Sequence, residues 1–270
     1  KARGIKVITG TAVIEAKGSK RVTGAMVVPL NEAGDQLMGD AQLLECDLIA
    51  SSGGWSPAIH LSCHTGSRPV WSDEAIGFLP GETIQKQLTA GAVNGSYSLD
   101  ACLKEGTEQG LAAARNAGFE VEDVVMPVSA PVSEGKPMAL FHIPHSKATS
   151  RAPKQFVDFQ NDVTAAAIEL ATREGFESIE HVKRYTAMGF GTDQGKTGNI
   201  NGMAIAAKSM DKSIPETGTT IFRPNYTPVT FGAVSGRNVK EFFDIERYSA
   251  MHTWHVENGP LFEDVGQWKR

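Results

Sequence analysis

Residues 183–196 have the sequence Lys-Arg-Tyr-Thr-Ala-Met-Gly-Phe-Gly-Thr-Asp-Gln-Gly-Lys, in which a helix-forming stretch gives way to closely spaced glycines. Ser178 is a suitable N-cap, so we expect a helix over Ile179–Met188 that Gly189 stops. The segment from Gly189 to Gly195 then predicts a tight loop. The organisation of the surrounding region follows from this helix and loop.

Two further helices are predicted around the glycine loop. Thr164 can cap a helix over Ala165–Glu174, which Gly175 ends. A third helix is expected from about Asn199 to Met210. Its predicted inner face consists of Ile200, Met203, Ala204 and Ala207. The pattern therefore predicts a small module of three short helices.

This module resembles the small iron–sulfur domain of the bacterioferritin-associated ferredoxin (BFD) type. That [2Fe-2S] family carries Cys-x-Cys before a helix and Cys-x4-Cys in a Gly-Met-Gly-x-Cys-Gln-Gly loop. The cysteine positions fall here on Asp158, Gln160, Asp193 and Gly198. Because thiolates hold such clusters, the resemblance implies a retained scaffold that has lost its metal.

A second resemblance extends over the whole chain. Residues 183–196, followed by Thr-Thr-Ile-Phe-Arg-Pro-Asn-Tyr-Thr-Pro-Val-Thr-Phe-Gly at 219–232, resemble the alpha-subunit family of heterotetrameric sarcosine oxidases. The implied fold mixes α+β and α/β structure in four parts. These parts are the closing part of a pyridine-nucleotide oxidoreductase (FAD/NAD-binding) domain at 1–120, a linker at 121–155, the cysteine-less BFD-like module at 156–212, and a connector with the start of a folate-binding, aminomethyltransferase-like (glycine cleavage T-protein) domain at 213–270.

The first 120 residues favour β-structure followed by one long helix. Strands are predicted over Gly4–Val13 and Val22–Val28, and a buried strand over Glu45–Ala50. From Ala90 to Gly95 a glycine-rich loop leads into a helix over 98–117, with Ser98 as its N-cap and Gly118 after its end.

The later segments have weaker patterns. The linker contains Gly135-Lys-Pro137 and a candidate strand over Ala139–Ile143. Further on, Val229–Gly232 is expected to be extended and Asn238–Tyr248 helical.

The family resemblance also implies a function. The enzyme would demethylate sarcosine oxidatively to glycine with O2, giving H2O2 and a one-carbon unit, as formaldehyde or 5,10-methylenetetrahydrofolate. It would contain FAD in the beta subunit, FMN at the interface with the beta subunit, NAD in the alpha subunit and a tetrahydrofolate site mostly outside this chain. The expected partners are the beta, gamma and delta subunits, in the cytoplasm.

Two loops are the candidate cofactor sites. The resemblance places NAD contacts at Gly91, Ala92, Tyr97 and Leu99, and FMN contacts at Thr192, Gln194, Gly195 and Lys196, with Arg223 and Thr227 in support. Backbone N–H groups in a glycine loop, a helix N-terminus and a cation all suit a phosphate group. The alternatives are a plain tight turn at Gly91 and a solvated surface charge at Lys196.

Other polar residues favour structural roles. Asp193 and His181 could act as acid and base, and His252 with His255 could bind a metal, but no partner stands at a telling spacing. The His60-Leu-Ser-Cys63-His64 stretch lacks a second ligand pair for zinc. We therefore predict no catalytic and no metal-binding residue, and expect this chain alone to be inactive.

Composition excludes several classes of protein. Of the 270 residues, 41% are hydrophobic and 21% charged, which is typical of folded domains. The net charge of −5 and the lack of a Lys/Arg run argue against nucleic-acid binding, and no apolar stretch reaches the roughly 18 residues of a membrane span. Three cysteines fit a reducing compartment. The chain begins without Met, so we expect a segment of a longer protein.

Two other functions remain open from the sequence. One is the related subunit of an opine or amino-acid dehydrogenase, although those relatives usually keep the four cysteines. The other is a non-catalytic scaffold that assembles subunits.

Overall fold

The computed structural model describes residues 3–122, 124–132, 135 and 138–270. The chain forms two units, of which the first ends at Tyr226 and the second comprises Thr227–Arg270. Within the predicted linker, Asp123, Ser133, Glu134, Lys136 and Pro137 lie outside the described residues. Across the described ranges, no helix combines the length and the apolar character that crossing a bilayer requires.

The fold mixes helices and strands, as the sequence predicted. Ten strands occur among the described residues, namely β1 (Thr11–Gly18), β2 (Val22–Pro29), β3 (Gln42–Glu45), β4 (Val70–Ser72), β5 (Gly77–Leu79), β6 (Phe156–Asp158), β7 (Val163–Thr164), β8 (Arg247–Tyr248), β9 (Asp264–Val265) and β10 (Trp268–Lys269). Eight helices accompany them, namely α1 (His60–His64), α2 (Leu99–Asn116), α3 (Ala165–Arg173), α4 (Ile179–Thr186), α5 (Asn199–Ser209), α6 (Ile214–Thr217), α7 (Phe231–Ser235) and α8 (His252–Glu257).

The strands form small sheets. The first is antiparallel in the order β1-β2-β3, and Val27 and Val28 of β2 are both buried. The strand predicted at Val22–Val28 is confirmed as β2. Two-stranded antiparallel sheets form from β4 with β5 and from β6 with β7. In the second unit, the order is β8-β10-β9.

Two strand predictions in the N-terminal region are partly wrong. Within Gly4–Val13 the strand begins only at Thr11, and Ile5 and Val7 are exposed. Within Glu45–Ala50 only Glu45 is in a strand, and Leu48 is 75% exposed. In the described part of the chain neither stretch has a neighbouring strand to pair with, and β-branched or apolar composition alone does not hold a strand.

The long helix was predicted correctly. Ser98 is the N-cap of α2, and the helix ends with Gly118 in a left-handed conformation at φ 86°. The Gly118 N–H donates to the Arg115 carbonyl at 3.0 Å, as in a glycine-terminated helix. No residue of α2 is buried.

Three later predictions are corrected. At Ala139–Ile143 there is no strand, because the Gln155 side-chain amide bonds both the N–H and the carbonyl of Ile143, at 3.0 and 2.8 Å, in place of a partner strand. Val229–Gly232 leads into a helix, because Thr230 caps α7 by accepting from the Ala233 N–H. Asn238–Tyr248 is not one helix, because a 3-10 turn bends at Lys240 and β8 follows.

The three-helix region carries the main hydrophobic core. Thr164 caps α3 as predicted, by accepting from the Ala167 N–H at 3.3 Å. Helix α4 ends two residues before the predicted Met188, because Ala187 adopts a left-handed conformation. The core residues that are almost completely enclosed include Ile168, Val182, Met188 and Met203.

The inner face of α5 was predicted only in part. Met203 and Ala207 are buried as expected, whereas Ile200 and Ala204 are half-buried. Gly202 lies on the buried face instead, directly against the side chains of Met188 and Ile168. A sequence pattern that counts only apolar side chains misses a glycine whose role is to let another helix approach.

Replacing Gly202 with valine should therefore destabilise the core. A Cβ at Gly202 would collide with the enclosed Met188 thioether, so we expect Gly202→Val to lower the free energy of unfolding by about 2 kcal/mol. Chemical denaturation followed by circular dichroism measures the change. The control is Gly106→Val in α2, where a Cβ meets nothing within 4 Å, and a change there within about 0.5 kcal/mol is expected. Equal effects of the two substitutions would contradict the packing argument.

Candidate cofactor-binding loops

A buried carboxylate holds the glycine loop at 189–195 in place. Asp158, at the end of β6, is 3% exposed. One of its oxygens accepts from the N–H groups of Gln160 and Asn161, both at 2.9 Å, and the other accepts from the Gly189 N–H at 2.7 Å. Asp158 thus joins the chain after β6 to the start of the loop. Hydrogen bonds to a charged acceptor are stronger than those between neutral groups.

A second link joins the same two segments. The Gln160 side chain donates to the Thr192 hydroxyl at 2.8 Å and accepts from the Asp193 N–H at 2.9 Å. Gly198 packs closely against the Val157 carbonyl, where any side chain would collide. The four positions that the sequence aligned with ferredoxin cysteines therefore lie together, and hydrogen bonds of Asp158 and Gln160 connect the segments.

Four of the predicted FMN-contact residues lie in this loop. Gln194 has a left-handed backbone at φ 53°, and Gly195 is buried against the Asn199 side chain. Thr192 accepts the bond from Gln160, and Lys196 is exposed. The Lys196 ammonium group donates to the Tyr226 carbonyl at 2.6 Å and lies 4.2 Å from the centroid of the Tyr226 ring.

An aromatic stack supports Tyr226. His60 of α1 stacks on the Tyr226 ring at 3.9 Å between centroids and 15° between planes, and Phe222 meets the ring edge-on at 5.1 Å. Burial lowers the pKa of His60, and the nearby charges of His64 and Lys196 lower it further. Burial also raises the pKa of Tyr226, with smaller contributions from Asp193 and Cys63. The sequence gave no signal that would pair His60 with Tyr226.

The two supporting residues of the predicted FMN set are both exposed. Arg223 lies near Lys183 of α4 and affects its pKa. Burial is the main cause that lowers the pKa of Lys183, the charge of Glu180 raises it, and the charges of Arg223 and Arg184 lower it further. Glu180 pairs with Arg184 at 2.9 Å and accepts from the Ile221 N–H at 3.0 Å. Thr227 is the first residue of the second unit. Sequence reasoning did not identify Lys183 and Glu180 as neighbours of Arg223.

The predicted NAD loop is organised from within. The Gly91 N–H donates to the Glu105 carboxylate of α2 at 2.8 Å, and the Ser96 hydroxyl donates to the other oxygen of the same carboxylate. The Ser96 bond is the main cause that lowers the pKa of Glu105, and the Gly91 bond adds to it. The Gly91 N–H is therefore engaged, although the sequence argument treated it as open to an anionic cofactor. Glu105 itself went unnoticed in the sequence.

The other predicted NAD contacts differ in exposure. Ala92 and Leu99 are exposed. The Tyr97 hydroxyl is buried and has no hydrogen-bond partner among the described residues, and burial raises its pKa. A ligand at this loop would contact the exposed side chains of Ala92 and Leu99, and the Tyr97 hydroxyl would be free to bond it.

The remaining candidate groups do not form a metal site. No cluster of three or more His, Cys, Asp or Glu side chains suited to a metal ion occurs within the described ranges. His181 is exposed on α4, and His252 stacks on Tyr248 at 4.0 Å between centroids. Asp193 accepts from the Thr197 hydroxyl at 3.4 Å. The three cysteines are free thiols.

Comparison with known proteins identifies the helical region. Residues 152–237 match the family model of the sarcosine oxidase A3 domain. The whole chain is similar to sarcosine oxidase alpha subunits from Corynebacterium sp. strain P-1 (38% identity over 99% of this chain), Corynebacterium sp. strain U-96 (37% over 99%) and Rhizobium meliloti strain 1021 (38% over 96%). The resemblance inferred from the sequence is confirmed.

The chain spans 26–28% of the length of these alpha subunits. Among solved structures, the L-proline dehydrogenase from P. horikoshii has a similar fold, with a TM-score of 0.56 and 15% sequence identity, over 82% of this chain and 44% of that one. This likeness concerns the fold alone.

Removing the charge of Asp158 should loosen the glycine loop at 189–195. In Asp158→Asn the NH2 group must face either the Gly189 N–H or the N–H groups of both Gln160 and Asn161, and the bonds on that side are lost. We therefore expect a loss of about 1–3 kcal/mol in unfolding free energy. Amide hydrogen exchange at Gly189 should become faster. Asp162→Asn is the matched control, because Asp162 is exposed on the same turn. Unchanged exchange at Gly189 would show that the carboxylate does not hold the loop.

The His60–Tyr226 stack should weaken in acid. A histidine in the unfolded chain has a pKa of about 6.5, and the folded-state pKa of His60 is lowered, so the unfolded state binds the proton more tightly. The contribution of neutral His60 to the free energy of unfolding is therefore complete above about pH 6.5, the pKa of the unfolded chain. It is lost as the pH falls through the lower pKa of the folded state. Denaturation of the wild type and of His60→Phe, between pH 5 and 8, should show a shallower pH dependence for the phenylalanine variant.

Some pH dependence should remain in His60→Phe, because burial also lowers the pKa of His142. Identical slopes for the two proteins would contradict a role for His60.

Proposed function

We propose that this chain forms part of the alpha subunit of a heterotetrameric sarcosine oxidase, an oxidoreductase that demethylates sarcosine to glycine with O2. The products would be H2O2 and a one-carbon unit, either formaldehyde or 5,10-methylenetetrahydrofolate. The similarity to three alpha subunits over 96–99% of the chain carries this proposal. Beta, gamma and delta subunits would complete the enzyme, and the three free thiols fit a cytoplasmic location.

The segment would support cofactors and would not carry out the bond-breaking step. When bound, the flavins supply the redox chemistry, with FAD in the beta subunit and FMN at the interface with the beta subunit. The glycine loop and the lysine after it would cover the FMN through Thr192, Gln194, Gly195 and Lys196, with Arg223 and Thr227 as the supporting residues that the resemblance implies. None of these residues is assigned a catalytic role.

Lys196 has the strongest physical case as an FMN contact. A lysine ammonium group has three N–H donors, and one of them is directed to the Tyr226 carbonyl. The side chain is exposed, its ammonium group lies 4.2 Å from the centroid of the Tyr226 ring, and the other two donors make no hydrogen bond among the described residues. A fixed, exposed cation is suited to a phosphate group, because less side-chain entropy is lost when the ligand binds.

The NAD contact is proposed at the loop before α2, through Gly91, Ala92, Tyr97 and Leu99. Because Glu105 already accepts from the Gly91 N–H, the dinucleotide would approach the exposed Ala92 and Leu99 without using that N–H group. The unpartnered Tyr97 hydroxyl would be available to a ribose or phosphate oxygen after a small shift.

The four-part organisation is also part of the proposal. Residues 1–120 would close a pyridine-nucleotide oxidoreductase domain, 121–155 would be a linker, 156–212 the BFD-like module, and 213–270 the start of a folate-binding domain. Exposed apolar residues such as Leu48 and Trp55, and the helix α2 with no buried residue, fit surfaces that other parts of a longer subunit would cover.

One experiment separates this function from its alternatives. The full-length subunit that contains this chain is co-expressed with the beta, gamma and delta subunits, and the purified complex is tested for flavin absorbance and sarcosine-dependent peroxide formation. Both signals are expected. Bound flavin without sarcosine turnover would indicate a dehydrogenase for another amine, and the absence of both flavin and NAD would indicate a scaffold.

The FMN contact is tested by Lys196→Met in the same complex. Loss of a charged hydrogen-bonding partner of the phosphate should weaken FMN binding about tenfold. Because the beta subunit is expected to link FMN covalently, the readout is the FMN incorporated per complex during assembly at limiting FMN, measured by absorbance. Lys104→Met, an exposed lysine on α2, is the control. Equal FMN incorporation in the two variants would remove Lys196 from the proposed site.

A further inference from the structure

One cavity of the first unit shares no lining residue with the glycine loop at 189–195 or with the loop before α2. Its volume is about 340 Å³, and it lies between the segment at 142–149 and the helices α3 and α5. The residues that line it are His142, Thr149, Glu169, Ile205, Lys208 and Ser209. Ligand pockets in proteins commonly have volumes of about 300–1,000 Å³, so the cavity is large enough for a small molecule.

The cavity presents opposite charges that do not neutralise each other. Glu169 of α3 and Lys208 of α5 both line it, and among the described residues they form no ion pair with each other. The Thr149 hydroxyl donates to one oxygen of Glu169 at 2.7 Å, which fixes the carboxylate and leaves its second oxygen for another donor. Two unlike charges therefore face one space from two different helices.

His142 adds a polar group that lacks a partner. Its Nε2 atom is buried and makes no hydrogen bond within the described part of the chain. Burial lowers the pKa of this imidazole, so the ring is neutral at pH 7 and provides one donor and one acceptor. Buried polar atoms without partners are uncommon in folded proteins, and each one calls for an explanation such as an absent ligand.

We propose that this cavity binds a small zwitterion, a molecule that carries both a carboxylate and a protonated amine, as an α-amino acid does. The Lys208 ammonium group would bind the carboxylate, and the free oxygen of Glu169 would accept from the amine. His142 would complete the polar contacts, and Ile205 would contact the aliphatic part. A simple anion would be repelled by the Glu169 carboxylate, and a simple cation would be repelled by the Lys208 ammonium group. Neither therefore matches the lining as well as a zwitterion does.

Glycine and sarcosine are suitable probes of the cavity. In the full-length subunit that contains this chain, histidine is labelled with nitrogen-15, and the imidazole signals of His142 are followed by NMR while each probe is added. We expect a saturable shift with a dissociation constant on the order of 1 mM. Acetate and methylammonium, which each carry one of the two charges, should bind about tenfold more weakly.

Two variants test the charge assignment. Lys208→Met and Glu169→Gln should each weaken glycine binding about tenfold, while Lys104→Met should leave it unchanged. Lys208 is exposed, and glutamine at position 169 can still accept from Thr149, so both variants are expected to fold. Circular dichroism checks this directly.

The outcomes divide clearly. Shifts that rise linearly without saturation, equal binding of acetate and glycine, or unchanged affinity in both variants would each overturn the zwitterion site. FMN incorporation into the complete enzyme should be the same in Lys208→Met as in the wild type, so failure of this proposal is distinguishable from failure of the proposed function.

Discussion

The candidate flavin-facing region depends on the bond between the Asp158 carboxylate and the Gly189 N–H. This 2.7 Å contact is buried, and the same carboxylate holds two N–H groups of its own turn. The glycine loop contains few side chains that could pack, so its path is set by hydrogen bonds to β6 and not by apolar burial. Gln160 extends the same connection to Thr192 and Asp193. The ferredoxin module that the sequence resembles would use metal–thiolate bonds at these positions, and this chain uses a carboxylate and an amide.

Local signals predicted the helices well. Thr164, Ser178 and Ser98 are N-caps of α3, α4 and α2, and Gly118 follows the end of α2, because caps are short-range features that a few neighbouring residues determine. The strand predictions over Gly4–Val13 and Glu45–Ala50 were partly wrong for the opposite reason. A strand needs a partner, and no partner is encoded within the strand itself.

The sites follow the same division. The glycine loop and the lysine that follows it could be proposed as a candidate site from the sequence, because glycine spacing and a following cation are visible within a few residues. The contacts that position the candidate loops were not predicted, because they join residues far apart in the chain. They are the stack of His60 on Tyr226, the hydrogen bond from the Gly91 N–H to Glu105 and the hydrogen bond from the Ile221 N–H to Glu180. The Asp158 and Gln160 positions were located only because a family resemblance placed them opposite the loop.

The Glu105 carboxylate gives the loop before α2 an unusual property. Glycine populates more backbone conformations than other residues, so a glycine-rich turn needs contacts that select one of them. Here the Glu105 carboxylate provides such contacts through Gly91 and Ser96. The turn is thus already ordered before any ligand arrives, so an incoming dinucleotide would lose little entropy in shaping it. Its affinity would be set by contacts at the rim of the turn and would respond only weakly to added phosphate.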